Sequence, residues 1–238
     1  MTEPKENMTD MPRLTVDNLE LERGERLLFR GLTFDAASGT LVRLAGANGT
    51  GKTSLLRLLT GLMSADAGRV LYKGKDIAKL REDFHKDLVY IGHMNGVKDD
   101  LSAMENVRIC ARMGNIIVND EQIVEALSRV GLADFTDHLT GELSQGQRRR
   151  VALARLFVSM SKPVWILDEP FVALDVASVA NLAKTIAEHV KAGGIVIYTT
   201  HQECDTGVPS EHCMTVDVSD FAPGKRKKIQ EATEANHA

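Results

Sequence analysis

The stretch Leu41-Val42-Arg43-Leu44-Ala45-Gly46-Ala47-Asn48-Gly49-Thr50-Gly51-Lys52-Thr53-Ser54 decides the fold. Its first five residues form a short apolar run of buried-strand type, and Leu55, Leu56, Leu58, Leu59 and Leu62 then recur with helical period. Between strand and helix, Gly46 to Thr53 fits G-x-x-x-x-G-K-[ST]. The glycines let the backbone curl until its N–H groups point inward, at the positive end of the helix dipole, so polyphosphate is the natural ligand. The cradle comprises Gly46, Ala47, Asn48, Gly49, Thr50 and Gly51, with Ser54 in the first helical turn. Lys52 is placed to neutralise β- and γ-phosphates, and the Thr53 hydroxyl to ligate Mg²⁺.

A second cluster, Val164-Trp165-Ile166-Leu167-Asp168-Glu169-Pro170, is an apolar strand that ends in two acids. At the carboxyl edge of a parallel sheet, Asp168 can hold a Mg²⁺-bound water and Glu169 can face a γ-phosphate and polarise the attacking water. Residues 195–198 form another run of buried-strand type, joined to the first by an amphipathic helix over 179–190. Upstream, Leu14, Val16, Leu19 and Leu21 outline early strands, with Leu32 and Phe34 in a further one. Residues from about 99 to 160 read as helical, with apolar periodicity around 107–113, 123–130 and 151–160.

With 238 residues, 43% of them hydrophobic, the chain can bury a full core as one α/β unit with a subdomain. The 33 acidic and 29 basic residues are interspersed, which argues against wrapping of nucleic acid. Cys110, Cys204 and Cys213 lack paired metal-ligand spacing, and an odd thiol count with no signal-peptide pattern points to a reducing compartment. No apolar run approaches the roughly 20 residues that span a bilayer, so a membrane role must come through a partner. The expected boundaries are a loose leader over 1–12, one domain over 13–218 with the helical subdomain inserted, and a polar tail over 219–238. The tail's basic run, Lys225-Arg226-Lys227-Lys228, reads as a solvated segment, the alternative being a lipid-surface or partner contact.

The family is narrowed by Leu143-Ser144-Gln145-Gly146-Gln147, followed by Arg148-Arg149-Arg150-Val151-Ala152-Leu153-Ala154-Arg155. This resembles the LSGGQ signature of ABC ATPases and the basic, apolar helix after it. Ser144 and Gly146 at a helix start make a second anion site, but the chain's own glycine loop already holds the same phosphates, so two subunits must share each ATP. The resemblance continues in Ala173-Leu174-Asp175, similar to the D-loop that links the two sites, and in His201, similar to the switch histidine near the γ-phosphate. It implies an α/β P-loop NTPase: a RecA-like core with the antiparallel β-subdomain of ABC proteins and an inserted α-helical subdomain. Ser144, Gly146, Gln147 and Asp175 are the residues it assigns to the shared nucleotide.

Two positions depart from the general pattern. Tyr90-Ile91-Gly92-His93 puts His93 where most ABC ATPases carry a glutamine that senses Mg²⁺ and water. Arg23 matches the aromatic that usually stacks on adenine, a role a planar guanidinium can fill. Together with the strings around 92–98, 101–106, 165–171 and 200–202, these resemble the ATP-binding subunits of the cytochrome c maturation, or haem-exporter, system. That implies a haem-transporting ATPase at the cytoplasmic face of a bacterial inner membrane. It would dock to a CcmB-like integral-membrane subunit with CcmC- and CcmD-type proteins, and pair with a second ATPase subunit in an ATP-sandwich homodimer. Its cycle would drive haem delivery, or release of a haem-loaded chaperone, with Mg²⁺ and ATP as the bound species. Direct haem binding is not expected, since no C-x-x-C-H attachment site is present. The alternatives are an ABC ATPase of another transporter and a soluble nucleotide-gated clamp. Clamps usually carry paired cassettes or long coiled coils, and the sequence has neither.

Overall fold

The computed structural model describes residues 12–200 and 205–223. The leader up to residue 11, His201, Cys204 and the basic run at 225–228 lie outside the described residues. The chain runs β1 (Arg13–Arg23), β2 (Arg26–Ala37), β3 (Leu41–Ala45), α1 (Lys52–Leu59), β4 (Ala67–Tyr72), β5 (Lys75–Asp76), α2 (Ile77–Leu80) and α3 (Glu82–Lys86). There follow β6 (Leu88–Ile91), α4 (Ala103–Met113), α5 (Asp120–Arg129), α6 (Gln145–Phe157), β7 (Val164–Leu167), α7 (Val176–Lys191), β8 (Ile195–Thr199) and β9 (Cys213–Asp217).

Two sheets result. The first is antiparallel, in the order β2-β1-β4-β5. The apolar residues that suggested separate early strands belong to one, β1, whose buried set switches parity from Leu14 and Val16 to Leu19 and Leu21. The switch is a bulge: the pairing slips between Val16 and Leu19, and Asn18 takes φ 52°. Gly68 of β4 faces this bulge so closely that a Cβ there would lie 2.3 Å from the Asn18 carbonyl oxygen.

The second sheet is parallel, in the order β6-β7-β8-β3-β9. Its two faces carry separate cores, as expected of a parallel sheet covered on both sides. Val42, Leu44, Ile166 and Ile197 face α1 and the antiparallel sheet, whereas Trp165, Leu167, Val196 and Tyr198 face α4 to α7. The strand β3 that feeds the glycine loop thus has the β8 strand between it and β7, which carries the acids. Both end at the same sheet edge, roughly 10 Å apart by the usual strand spacing.

Val218–Phe221 is a 3-10 turn with Val218 fully buried and Phe221 packed on the core, because Asp217 caps it by accepting from the Ser219 amide at 2.9 Å. Among the described residues no helix is long and apolar enough to cross a membrane.

Candidate functional site

Beyond Ala45 the chain turns through Gly46, Gly49 and Gly51 with φ of 133°, 77° and 99°. At Gly46 a Cβ would sit 2.9 Å from Thr50 Oγ1 and 3.3 Å from Asp217 Oδ1, so only glycine closes the loop against β9. Gly51 is backed by Leu28 and Phe29 of β2, which fixes the loop to the antiparallel sheet. α1 begins with no side-chain cap and no acid in its first turn, which leaves its N-terminal amides, including those of Thr53 and Ser54, available to an anion. Lys52 is buried and folds back over the loop, its Nζ donating to the carbonyls of Gly46 at 2.7 Å and Ala47 at 3.1 Å. Asn48 and Gly49 form the exposed crest of the turn, and Thr50 Oγ1 closes it onto the Ala47 carbonyl at 2.9 Å.

Asp168 is 2% exposed. Its Oδ1 accepts from Thr199 Oγ1 at 2.7 Å, while Oδ2 is buried with no hydrogen-bond partner. A buried anionic oxygen with no donor is costly by itself and is well suited to a hard cation. The next residue, Glu169, adopts φ 50°, a left-handed conformation uncommon for a side chain of this kind, and its amide donates to the same Thr199 hydroxyl at 2.9 Å. Arg149 of α6 donates to the carbonyls of both acids, to Asp168 by a short contact and to Glu169 at 3.2 Å. Burial lowers the guanidinium's proton affinity, and the negative charges of Asp168 and Glu169 oppose that. Tyr90, on β6, has its phenol pushed up by burial and by the Asp168 charge.

At the N-terminus of α6, Ser144 forms a capping box: Ser144 Oγ accepts from the Gln147 amide at 3.2 Å and Gln147 Oε1 accepts from the Ser144 amide at 2.9 Å. Gln147 therefore shapes the helix start. Gly146 faces Ala173, whose φ is 62°, and Asp175 caps α7 by accepting from the Ser178 amide at 2.8 Å. That amide holds the Asp175 carboxyl below its usual range, and Arg150 lies 3.4 Å from it. Signature and D-loop residues thus form one cluster, while Lys52 and its loop form another.

His93 is exposed, one residue past the Gly92 carbonyl that Arg149 engages. The following loop is anchored by buried Asn106, which exchanges hydrogen bonds with Lys98 at 2.8 and 3.0 Å. Arg23 is exposed at the end of β1, paired with Arg26 across the hairpin turn. Thr199 and Arg149 were not singled out from sequence. Arg149 did leave a signal: it shares a helical stripe with Ala152, Leu153 and Leu156, all buried.

The family model described as ABC transporter matches residues 29–172. The chain is 47% identical over 211 residues to the cytochrome c biogenesis ATP-binding export protein CcmA of Aromatoleum aromaticum, covering 89% of this chain and 97% of that protein. The protein of the same name from Escherichia coli O157:H7 is 48% identical over 192 residues, 81% of this chain and 90% of that one. A putative ABC transporter ATP-binding protein from Pyrococcus furiosus has a TM-score of 0.73 at 28% identity, covering 88% of this chain and 99% of its own. The cassette MJ0796, solved as a dimer in a post-hydrolysis state with ADP and Pi, gives 0.70 at 20% identity over 86% and 94%, a likeness of fold alone.

Proposed function

Because the chain belongs to the ABC transporter family, and within it to the CcmA group of ATP-binding export proteins, we propose that it powers haem delivery, or release of a haem-loaded chaperone, in cytochrome c maturation. It is an ATPase of the ABC type. The observation that carries the mechanism is the pairing of Lys52, folded into an anion-ready loop, with the unpartnered buried oxygen of Asp168 at the same sheet edge.

In this reading the amides of residues 46–54 receive the phosphates, and Lys52 exchanges the Gly46 and Ala47 carbonyls for β- and γ-phosphate oxygens. Thr53 and Asp168 would hold Mg²⁺, with His93 at the position of the family's glutamine, and the ion would supply positive charge to stabilise the phosphates during transfer. Glu169 accepts the proton of the attacking water as its oxygen bonds to the γ-phosphorus and the bridging oxygen leaves with ADP. His201 contributes at the γ-phosphate and Arg23 stacks on the base. Ser144, Gly146 and the D-loop Asp175 of a second copy close the site, as the resemblance to ABC ATPases implies.

The domain assigned to this chemistry runs from residue 13, with the helices over about 99–160 as its inserted subdomain. A CcmB-like integral-membrane subunit, with CcmC- and CcmD-type proteins, would hold it at the cytoplasmic face of the bacterial inner membrane. The experiment is replacement of the chain by its Glu169→Gln variant in a bacterium that makes c-type cytochromes, with fractionation in the presence and absence of the membrane subunit. We expect haem-stained cytochromes c to vanish while the variant still sediments with membranes only when that subunit is present. Normal cytochrome c assembly, or membrane association without the subunit, would overturn the reading.

A further inference from the structure

Three consecutive arginines at the start of α6 have different destinations. Arg148 turns back to the carbonyls of Leu143 at 3.1 Å and Gly141 at 2.6 Å, and Arg150 reaches Asp175 at 3.4 Å. Arg149 alone turns inward and is 7% exposed. Its Nη1 donates to the Gly92 carbonyl at 2.6 Å and lies 3.5 Å from Asn95 Oδ1, while Nη2 donates to the carbonyls of Asp168 and Glu169. We propose that Arg149 is a positioning residue: its fork ties the 92–95 turn to the backbone of Asp168 and Glu169 and holds the Glu169 carboxylate where it can meet water.

Buried guanidinium is tolerated only where its donors are satisfied, and here main-chain oxygens from two separate loops satisfy them. Glu169 needs such support. Its left-handed backbone persists only if the surroundings hold it, and it is gripped on both sides, by Thr199 at its amide and by Arg149 at its carbonyl. A planar fork can serve two loops at once, whereas an ammonium is a point donor. Motion of the 92–95 turn, which leads into the exposed His93 and Met94, would thereby be transmitted to the residue that activates water.

This inference rests on the assignment of Glu169 as base, and the test separates the two. Turnover, KM, nucleotide affinity and melting temperature are measured on the full-length protein and on Arg149→Lys, Arg149→Gln, Glu169→Gln and the double variant Arg149→Lys/Glu169→Gln. Arg149→Lys should bind MgATP within about twofold of the parent and fold normally, yet lose about 10- to 100-fold in kcat, the usual cost of a misplaced catalytic group. Because Arg149 acts through Glu169, the same change should cost less than about threefold when Glu169 is already glutamine. Arg149→Gln, which keeps a hydrogen-bonding head without charge, should likewise lose turnover and not affinity. Equal losses with and without the Glu169 carboxylate, wild-type kcat in Arg149→Lys, or a kcat loss matched by lost binding and folding would each overturn the positioning role. A Glu169→Gln protein with wild-type turnover would overturn the base assignment instead, and the positioning role with it.

Discussion

Thr199 Oγ1 donates to Asp168 Oδ1 at 2.7 Å and accepts the Glu169 amide at 2.9 Å, so one hydroxyl on the neighbouring strand sets both acids. Thr199 is 1% exposed. Thr199→Val keeps the shape and leaves a buried carboxylate oxygen and a buried amide without partners, which should cost about 1–3 kcal/mol of stability. Turnover should drop with it, and Thr199→Ser should recover both. Denaturant melts and phosphate release check this; a Val variant as stable and active as the parent would refute it.

Glu169→Gln should separate closure from hydrolysis. The amide keeps the size of the carboxylate and removes the base, so hydrolysis should fall by at least about 10²-fold, and the ATP sandwich should accumulate as a dimer. Lys52→Ala removes the buried charge that folds onto Gly46 and Ala47, and should lose ATP-dependent dimerisation and activity together. Light scattering with and without Mg-ATP distinguishes these outcomes. A Glu169→Gln protein that remains monomeric in saturating ATP, alone and with its membrane subunit, would sink the shared site.

Stability should depend on His189, which is buried in α7 and stacks on Trp165 at 3.9 Å with ring planes 7° apart. Gly194 packs so close that a Cβ there would lie 2.2 Å from Nε2. Burial pushes the imidazole down to about 4, with the backbone at Pro163 and Met160 opposing it. Above the unfolded value of about 6.5 the ring is neutral in both states; as pH falls from there to about 4 only the unfolded chain takes the proton. Stability should therefore decline by up to about 3 kcal/mol across that window. His189→Phe, which can stack but not titrate, should flatten the profile in urea melts at pH 7.5, 6 and 5. An unchanged slope would assign the acid sensitivity to other groups.

Arg23 should contribute modestly to nucleotide binding. Stacking by an exposed guanidinium is worth on the order of 0.5–1 kcal/mol, so Arg23→Ala should weaken ATP binding a few-fold with little change in maximal rate. Arg23→Tyr should preserve or improve affinity. Titration with a fluorescent ATP analogue reads both, and an Ala variant of unaltered affinity would move the base-stacking position elsewhere.

What could be read from the sequence was the chemistry carried by contiguous residues: the glycine loop, the Asp168-Glu169 pair and the helix start at Ser144. Those signals depend on local spacing, and so survive without knowledge of the fold. Thr199 was hidden because its role depends on the alignment of two parallel strands, Leu167 against Tyr198, that are distant in sequence. Arg149 was masked by its basic neighbours, though its apolar stripe gave it away in principle. The β1 bulge at Asn18 switched the alternation that defines a strand, so one strand read as several. The mixed polar and apolar strands β4, β5 and β9 lack the continuous apolar run that marked β3, β7 and β8, and β9 places Asp217 against Gly46 of the glycine loop.

The uncapped start of α1 ties the protein's lifetime to the energy state of the cell. Donors left open by the chain itself are ready for a phosphate, so the nucleotide is also a ligand of the folded state and raises its stability by mass action, by about 2.7 kcal/mol when present at a hundredfold over its dissociation constant. Starvation that depletes ATP would withdraw this support and enlarge the unfolded fraction open to proteases, so the amount of the motor would fall along with its fuel.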